Sequence, residues 1–235
     1  MLKSTEFLVG IPTGHIGYAS FYSHFMNWIS GQQVFPMIAE SNRVDVNRSQ
    51  IIQVAKERKL NVIFLDSDAL PLTPYKEMTK YLLEDFEQFD IVVAPVRGIN
   101  GQILIQPKDP NFQYPMHKSE QLPFEINAGS FTMAGISYNL IEKLTPLSQY
   151  GLVDNRFVPL YVSYTTQTSE EYAFCHRAQK KYNSKVACDP RIRVSHLKAI
   201  PLEPPYSIEE IEERQKKIKE QQEEANKNIP KTLKR

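Results

Sequence analysis

The chain has 235 residues, 41% of them hydrophobic, with 28 Lys and Arg against 27 Asp and Glu. That is enough apolar material for one substantial core, and a formal net charge of +1 supplies no bulk attraction to nucleic acid or anionic lipid. Met1–Thr5 is polar and no run of about 18 or more apolar residues occurs, which predicts a cytoplasmic protein without a transmembrane span.

Through residues 1–96 short apolar runs alternate with helical patterns, the signature of βαβ units around a mostly parallel sheet. Phe7–Ile11 reads as a first strand. Phe21, Phe25, Trp28 and Ile29 stand at helical spacing over about 18–30, with Gly31 as the stop, and Val34–Ala39 returns as a strand. Asn47 is expected to cap a helix whose apolar side is Ile51, Ile52, Val54 and Ala55, ending near Leu60. Asn61–Leu65, apolar on both faces, is expected as a central buried strand, and it stops abruptly at Asp66-Ser67-Asp68. Thr73 and Pro74 predict the cap and first position of a helix through about Glu87, with Asp90–Pro95 a further strand.

Residues 97–165 lose that rhythm. Prolines at 107, 110, 115, 123, 146 and 159 and scattered aromatics indicate loops with short strands, the usual material of a substrate lobe, until regularity resumes at Thr168. In 201–235, Ser207 and Glu210 form a capping box before a highly charged stretch with apolar residues only at Ile208, Ile211 and Ile218. This predicts a solvated or lightly docked C-terminal helix, with peripheral membrane contact through its Lys-rich end as the alternative. Cys175 and Cys188 lack any CxxC or His-rich partner spacing and indicate neither a zinc knuckle nor a disulfide framework.

The chemistry concentrates at Asp66 and Asp68. The carboxyl end of a central strand is where open α/β sheets bind ligands, and two carboxylates there can hold Mg²⁺ or Mn²⁺ while leaving positions for phosphate oxygens. Acids also end strands or cap helices, but two of them above a buried strand are costly without a cation or donor.

Val9-Gly10-Ile11-Pro12-Thr13, the Asn47-Arg48 helix start and Ile63-Phe64-Leu65-Asp66-Ser67-Asp68 resemble the nucleotide-sugar half of GT-A glycosyltransferases, family 2-like members most. The segment from Thr168 through Glu170 and Glu171 to Ala178 resembles their acidic "ED" helix, and Asp189–His196 resembles the strand that follows, so roughly 7–198 are covered. The resemblance implies an α/β, Rossmann-like GT-A sheet that binds the nucleotide (1–96), an adjoining acceptor and catalytic half of the same domain (97–200) and a charged tail (201–235). It places Pro12 and Thr13 at the nucleoside, Glu40 against the base, Arg48 near the diphosphate and Asp66 on the ribose or metal side. Asp68 and His196 become metal ligands, the imidazole suiting Mn²⁺.

Glu171 matches the second acid of the ED pair, the general base on the acceptor hydroxyl in inverting members, although Asp is usual there; Glu170 is the other candidate acid. Asn127 and Gly129, in Asn127-Ala128-Gly129-Ser130, resemble the segment bordering donor sugar and acceptor. Plainer readings stay open beside these. Thr168 and Glu171 fit a capping box, His196 suits a strand end, and Asn127–Ser130 suits a turn into a strand Phe131–Ala134. His15, between Gly14 and Gly17, is a candidate phosphate contact.

The expectation is a metal-dependent glycosyltransferase of hexosyltransferase type. It would carry a sugar from a UDP- or GDP-sugar to a glycan, lipid or protein hydroxyl, with stereochemistry open. A haloacid dehalogenase-like phosphatase also places Asp-x-Asp after an apolar strand, but its motif normally opens the domain and continues with Thr or Val where this chain has Leu70. A nucleotidyltransferase would need a basic loop after the first strand, and Gly10–His15 has no Arg or Lys. A non-catalytic nucleotide-sugar-binding scaffold is the remaining alternative.

Overall fold

Residues 6–13, 19–98, 100–115, 121–153, 156–197 and 207–227 are described by a computed structural model of the chain. The three apolar runs expected as strands form β1 (Phe7–Thr13), β2 (Phe35–Glu40) and β3 (Asn61–Leu65), with α1 (Ala19–Trp28) and α2 (Val44–Arg58) between them. β4 (Ala69–Pro71), α3 (Tyr75–Asp85) and β5 (Ile91–Val93) follow, then β6 (Ile105–Pro107), β7 (Phe124–Gly129), β8 (Met133–Ile136) and α4 (Tyr138–Lys143). The chain continues through β9 (Tyr150–Val153), β10 (Arg156–Pro159), α5 (Glu170–Tyr182), β11 (Val186–Cys188), β12 (Val194–His196) and α6 (Ile208–Lys227).

Eight strands pair in the order β2-β1-β3-β8-β5-β11-β7-β6. β1 runs parallel to β2 and β3, and β5 parallel to β11. β8 lies antiparallel between β3 and β5, and β7 antiparallel between β11 and β6, so the α/β sheet is mixed with only these two strands reversed. Strands from before and after residue 97 share it, β8 being inserted between β3 and β5.

Alternate residues of the central strands serve two cores. Leu8, Val62 and Phe64 pack with Ile51, Ile52 and Ala55 of α2 and Phe174 of α5. Val9, Ile63 and Leu65 pack on the opposite face with Phe21 and Phe25 of α1 and Met78 and Leu82 of α3. Burial on both faces is why these strands read as unbroken apolar runs. α2 lies almost on the backbone of β1: a Cβ at Gly10 would sit 2.4 Å from Ile51 Cγ2. That close seat carries the first turns of α2 to the carboxyl ends of β1 and β3.

Several local expectations are corrected. α2 begins after Arg43, not Asn47; Asn47 lies inside the helix and is buried, and its Nδ2 donates to the Thr13 carbonyl at 2.8 Å. The amide ties the helix to the end of β1, a long-range task with no signature in local spacing. Pro74, not Thr73, precedes α3 as the cap residue. Thr73 Oγ1 instead donates to the Arg191 carbonyl at 3.2 Å and accepts from Arg193 N at 2.8 Å, joining the start of α3 to the approach to β12. Asn127–Gly129 belong to β7 rather than to a turn, and the second strand starts at Met133 after a turn at 131–132. A Cβ at Gly129 would lie 2.7 Å from Val93 Cγ2, so packing within the sheet requires glycine there.

The capping box of α6 is formed as expected: Glu210 N donates to Ser207 Oγ at 3.2 Å and Ser207 N to Glu210 Oε2 at 2.9 Å. Arg193 Nη1 reaches Glu210 Oε1 at 2.7 Å, fastening the helix start beside β12. Cys175 and Cys188 are free and buried, and burial raises both thiol pKa values, that of Cys175 to about 12. No helix among the described residues is long and apolar enough to cross a membrane.

Candidate active site

β3 ends at Leu65, and Asp66 N donates to the Thr132 carbonyl at 3.0 Å, so the acidic triplet leaves the sheet at its carboxyl edge. Beside it, on α2, Arg48 is only 3% exposed and stacks near the rings of Phe64 and Phe131, 5.9 and 5.6 Å from their centroids. Its guanidinium forks: Nη2 donates to Asp66 Oδ1 at 2.8 Å, Nη1 donates to Glu170 Oε1, and Glu171 Oε2 lies 3.7 Å from Nη1. Three carboxylates from β3 and α5 thus converge on one cation from α2. Burial opposes the Arg48 charge, but Asp66, Glu170 and Glu171 outweigh it and keep the guanidinium protonated.

The carboxylates respond unequally. Burial raises the Asp66 pKa, Arg48 pulls it back, and the neighbouring Asp68 charge raises it again. Glu170, 4% exposed, is pushed up to about 7, first by burial and then by Glu171, with Arg48 opposing. Ser169 caps α5 but makes no side-chain cap bond, so the capping box expected between Thr168 and Glu171 is not made; both glutamates turn to Arg48 instead. Charge wins because a buried guanidinium lacking carboxylates would cost far more than one open helix donor.

β4 and β12 form a separate two-stranded antiparallel ribbon in which His196 pairs with Ala69. This register sets His196 Nε2 3.1 Å from Asp68 Oδ2. His196 is 8% exposed, and its Nδ1 is buried with no hydrogen-bond partner among the described residues. Asp66 and Asp68 side chains are each 23% exposed and so reach the surface of the crevice.

Among the described residues, no group of three or more His, Cys, Asp or Glu side chains is drawn together as a metal site. Asp68 and His196 pair, while Asp66 is taken by Arg48. A donor separation of 3.1 Å suits two adjacent ligands of one ion, since ligands about 2.1 Å from an octahedral ion at a right angle lie about 3.0 Å apart. The same distance is that of an ordinary hydrogen bond, so the pair is compatible with two ligands of a divalent ion and complete without one.

The remaining candidates lie on β1, β2 and β7. Pro12 and Thr13 are the last residues of β1, in register with Ala39 and Glu40; Thr13 is buried and Glu40 exposed at the rim. Asn127, half-buried on β7, donates to the Pro107 carbonyl at 3.2 Å and accepts on its own carbonyl from Gln179 of α5, and Gly129 is buried at the end of that strand. His15 lies outside the described residues. Sequence reasoning missed Asn47 and Thr73, which fix the ends of β1 and β12, and Tyr164. Partial burial, then the charges of Glu170 and Asp45, raise the phenol pKa of Tyr164, a residue 50% exposed, to about 12. None of these contacts joins neighbours in sequence, so no spacing could reveal them.

No family model matches the sequence, and neither does a curated protein. Among solved structures the fold is similar to that of A197 from STIV, at a TM-score of 0.58 and 14% identity over 85% of this chain and 94% of that one. More distant similarities include S. aureus TarS 1-349 (TM-score 0.45, 12% identity, 78% of this chain and 58% of that one). Another is a glycosyltransferase involved in glycosylation of the major capsid of PBCV-1 (TM-score 0.40, 12% identity, 78% and 82%). The likeness to A197 bears on the fold alone.

Proposed function

We propose that the chain is a metal-dependent glycosyltransferase of the GT-A type, moving a sugar from a UDP- or GDP-sugar to an acceptor hydroxyl. The observation that carries this reading is the pairing of Asp68 with His196 at the carboxyl edge of β3, next to the Arg48–Asp66–Glu170–Glu171 cluster. In the proposal Asp68 and His196 hold Mn²⁺ or Mg²⁺, whose chemistry is to neutralise the charge that develops on a departing nucleoside diphosphate. Pro12, Thr13 and Glu40 line the nucleoside end of the crevice, and Asp66 faces the ribose with its other oxygen fixed by Arg48.

Arg48 is buried, so its proposed role is to position Asp66 and the start of α5 rather than to touch phosphate. Glu171, less buried than Glu170, is the group that takes the proton of the acceptor hydroxyl as the glycosidic bond forms. Asn127 and Gly129 border the space between donor and acceptor.

Isothermal titration with UDP, GDP and their sugars, with and without Mn²⁺, tests the donor site. Metal-dependent binding by wild type, lost in Asp68→Ala and weakened in His196→Ala, is expected. Absence of binding to every nucleotide, with or without metal, defeats the proposal.

A further inference from the structure

A second open cleft of about 560 Å³ lies where the edge strand β6 faces the start of α5. That volume is within the range of about 300–1,000 Å³ usual for small-ligand sites. One wall is Ile105, Gln106 and Pro107; the other is Gln167 and Thr168 before the helix and Tyr172 and His176 one turn apart on it. Gln167 and Thr168 on one side of Glu171 and Tyr172 on the other all line the cleft, so it runs along the first turn of α5, the turn that carries the carboxylate assigned to the acceptor proton. Its far wall also adjoins Asn127, whose amide donates to the Pro107 carbonyl.

The lining has a definite chemistry. It contains no Lys, Arg, Asp or Glu, so apart from the His176 imidazole nothing in it offers a charge to a phosphate headgroup, an acidic peptide or a basic one. Two primary amides, a threonine hydroxyl and an imidazole offer directed donors and acceptors, and the half-buried Tyr172 ring offers an apolar face. A ligand meeting both needs at once is neutral, densely hydroxylated and flat-faced.

The edge of β6 does not suit an extended peptide. The strand is three residues long, it is irregular between Gln106 and Pro107, and proline has no N–H to add to a ladder. An acyl chain would need a continuous apolar wall, and here the polar groups interrupt it.

We propose that this cleft binds the acceptor and that the acceptor is a carbohydrate, one pyranose ring stacking on Tyr172 with its hydroxyls held by Gln106, Gln167 and His176. This rests on the glycosyltransfer reading and narrows its acceptor class from glycan, lipid or protein to glycan.

Saturation-transfer NMR with the methyl glycosides of glucose, galactose, mannose and N-acetylglucosamine tests the proposal, run without nucleotide and again with UDP and Mn²⁺. At least one glycoside should receive saturation from wild type. The exposed double substitution Gln106→Ala with His176→Ala should weaken that glycoside about tenfold or more, as losing two directed hydrogen-bonding groups predicts. Tyr172→Phe, which keeps the ring, should retain it, while Tyr172→Ala should lose it. No glycoside signal under either condition, or a signal unchanged in the double variant, overturns the proposal. Metal-dependent UDP or GDP binding by the same double variant separates the two failures. If nucleotide binding persists, the cleft assignment falls alone; if wild type binds no nucleotide either, the glycosyltransfer reading falls with it.

Discussion

A single buried cation organises the acidic corner of this protein. Arg48 reaches Asp66 on one side and Glu170 on the other, and all of its charge is balanced by residues distant in sequence. Removing it would leave buried carboxylates without a partner, which typically costs about 3–5 kcal/mol. Arg48→Met should therefore lower the urea-unfolding free energy by about that much, and Arg48→Lys should recover only part of it because a single ammonium nitrogen cannot occupy the separate positions from which Nη1 and Nη2 reach the two carboxylates. The two glutamates separate by the same logic. Glu170 is bonded to Arg48 and 4% exposed, which suits a structural role, whereas Glu171 stands farther from the guanidinium and nearer solvent. Glu171→Gln should reduce sugar transfer by about 10²- to 10⁴-fold, the usual range for losing a general base, while nucleotide titration is unchanged. Glu170→Gln should instead register mainly in thermal unfolding. A reversal of these two outcomes would reassign the base.

At the scale of elements, the segments that sequence pattern reveals are those whose partners are generic apolar faces. β3 and α5 fall where periodicity puts them because any core would accept Val62–Leu65 or Phe174 and Ala178. β4 stays invisible: Ala69–Pro71 is three residues with no alternation, and it exists as a strand only because residues 194–196 pair with it across the chain. His196 depends on that ribbon for its place at Asp68, and Arg191, just before it in the chain, is held by acids of other elements. Arg191 Nη2 donates to Asp85 Oδ1 at 2.7 Å and Nε to Asp189 Oδ1 at 3.0 Å, linking the end of α3 to the end of β11. Burial first, and Asp189 next, raise the Asp85 pKa from 3.8 to about 7. An acid raised in this way binds its proton more tightly folded than unfolded. Its favourable contribution is complete below about pH 3.8 and is lost as pH rises through about 7. Asp85→Asn should flatten the fall in unfolding free energy across that window, by no more than about 1.4 kcal/mol per pH unit for one proton. Chemical denaturation at a series of pH values measures the slope, and an equal slope in variant and wild type would refute the account.

For the molecule as a whole, composition and rhythm make the α/β class legible, but not the order of the sheet. Inserting β8 between β3 and β5 buries Met133 and Ala134 against both neighbours, a choice made by three-dimensional packing that no local run encodes. The two cores on either side of this sheet are built from aliphatic and aromatic side chains, with Asp68 and His196 outside both of them. Folding should then be independent of any divalent ion, unlike that of small domains whose metal is their core. Chelation with EDTA should leave the melting temperature unchanged. Adding Mn²⁺ with the nucleoside diphosphate that binds should raise it, because a ligand at about one hundred times its Kd contributes about 2.7 kcal/mol to the folded state. The rise should vanish in Asp68→Ala, whose melting temperature without ligand should remain within a few degrees of wild type. A large fall on chelation alone would mean that the ion holds the β4–β12 ribbon in place, and the Asp68–His196 pair would then be a structural site before it is a catalytic one.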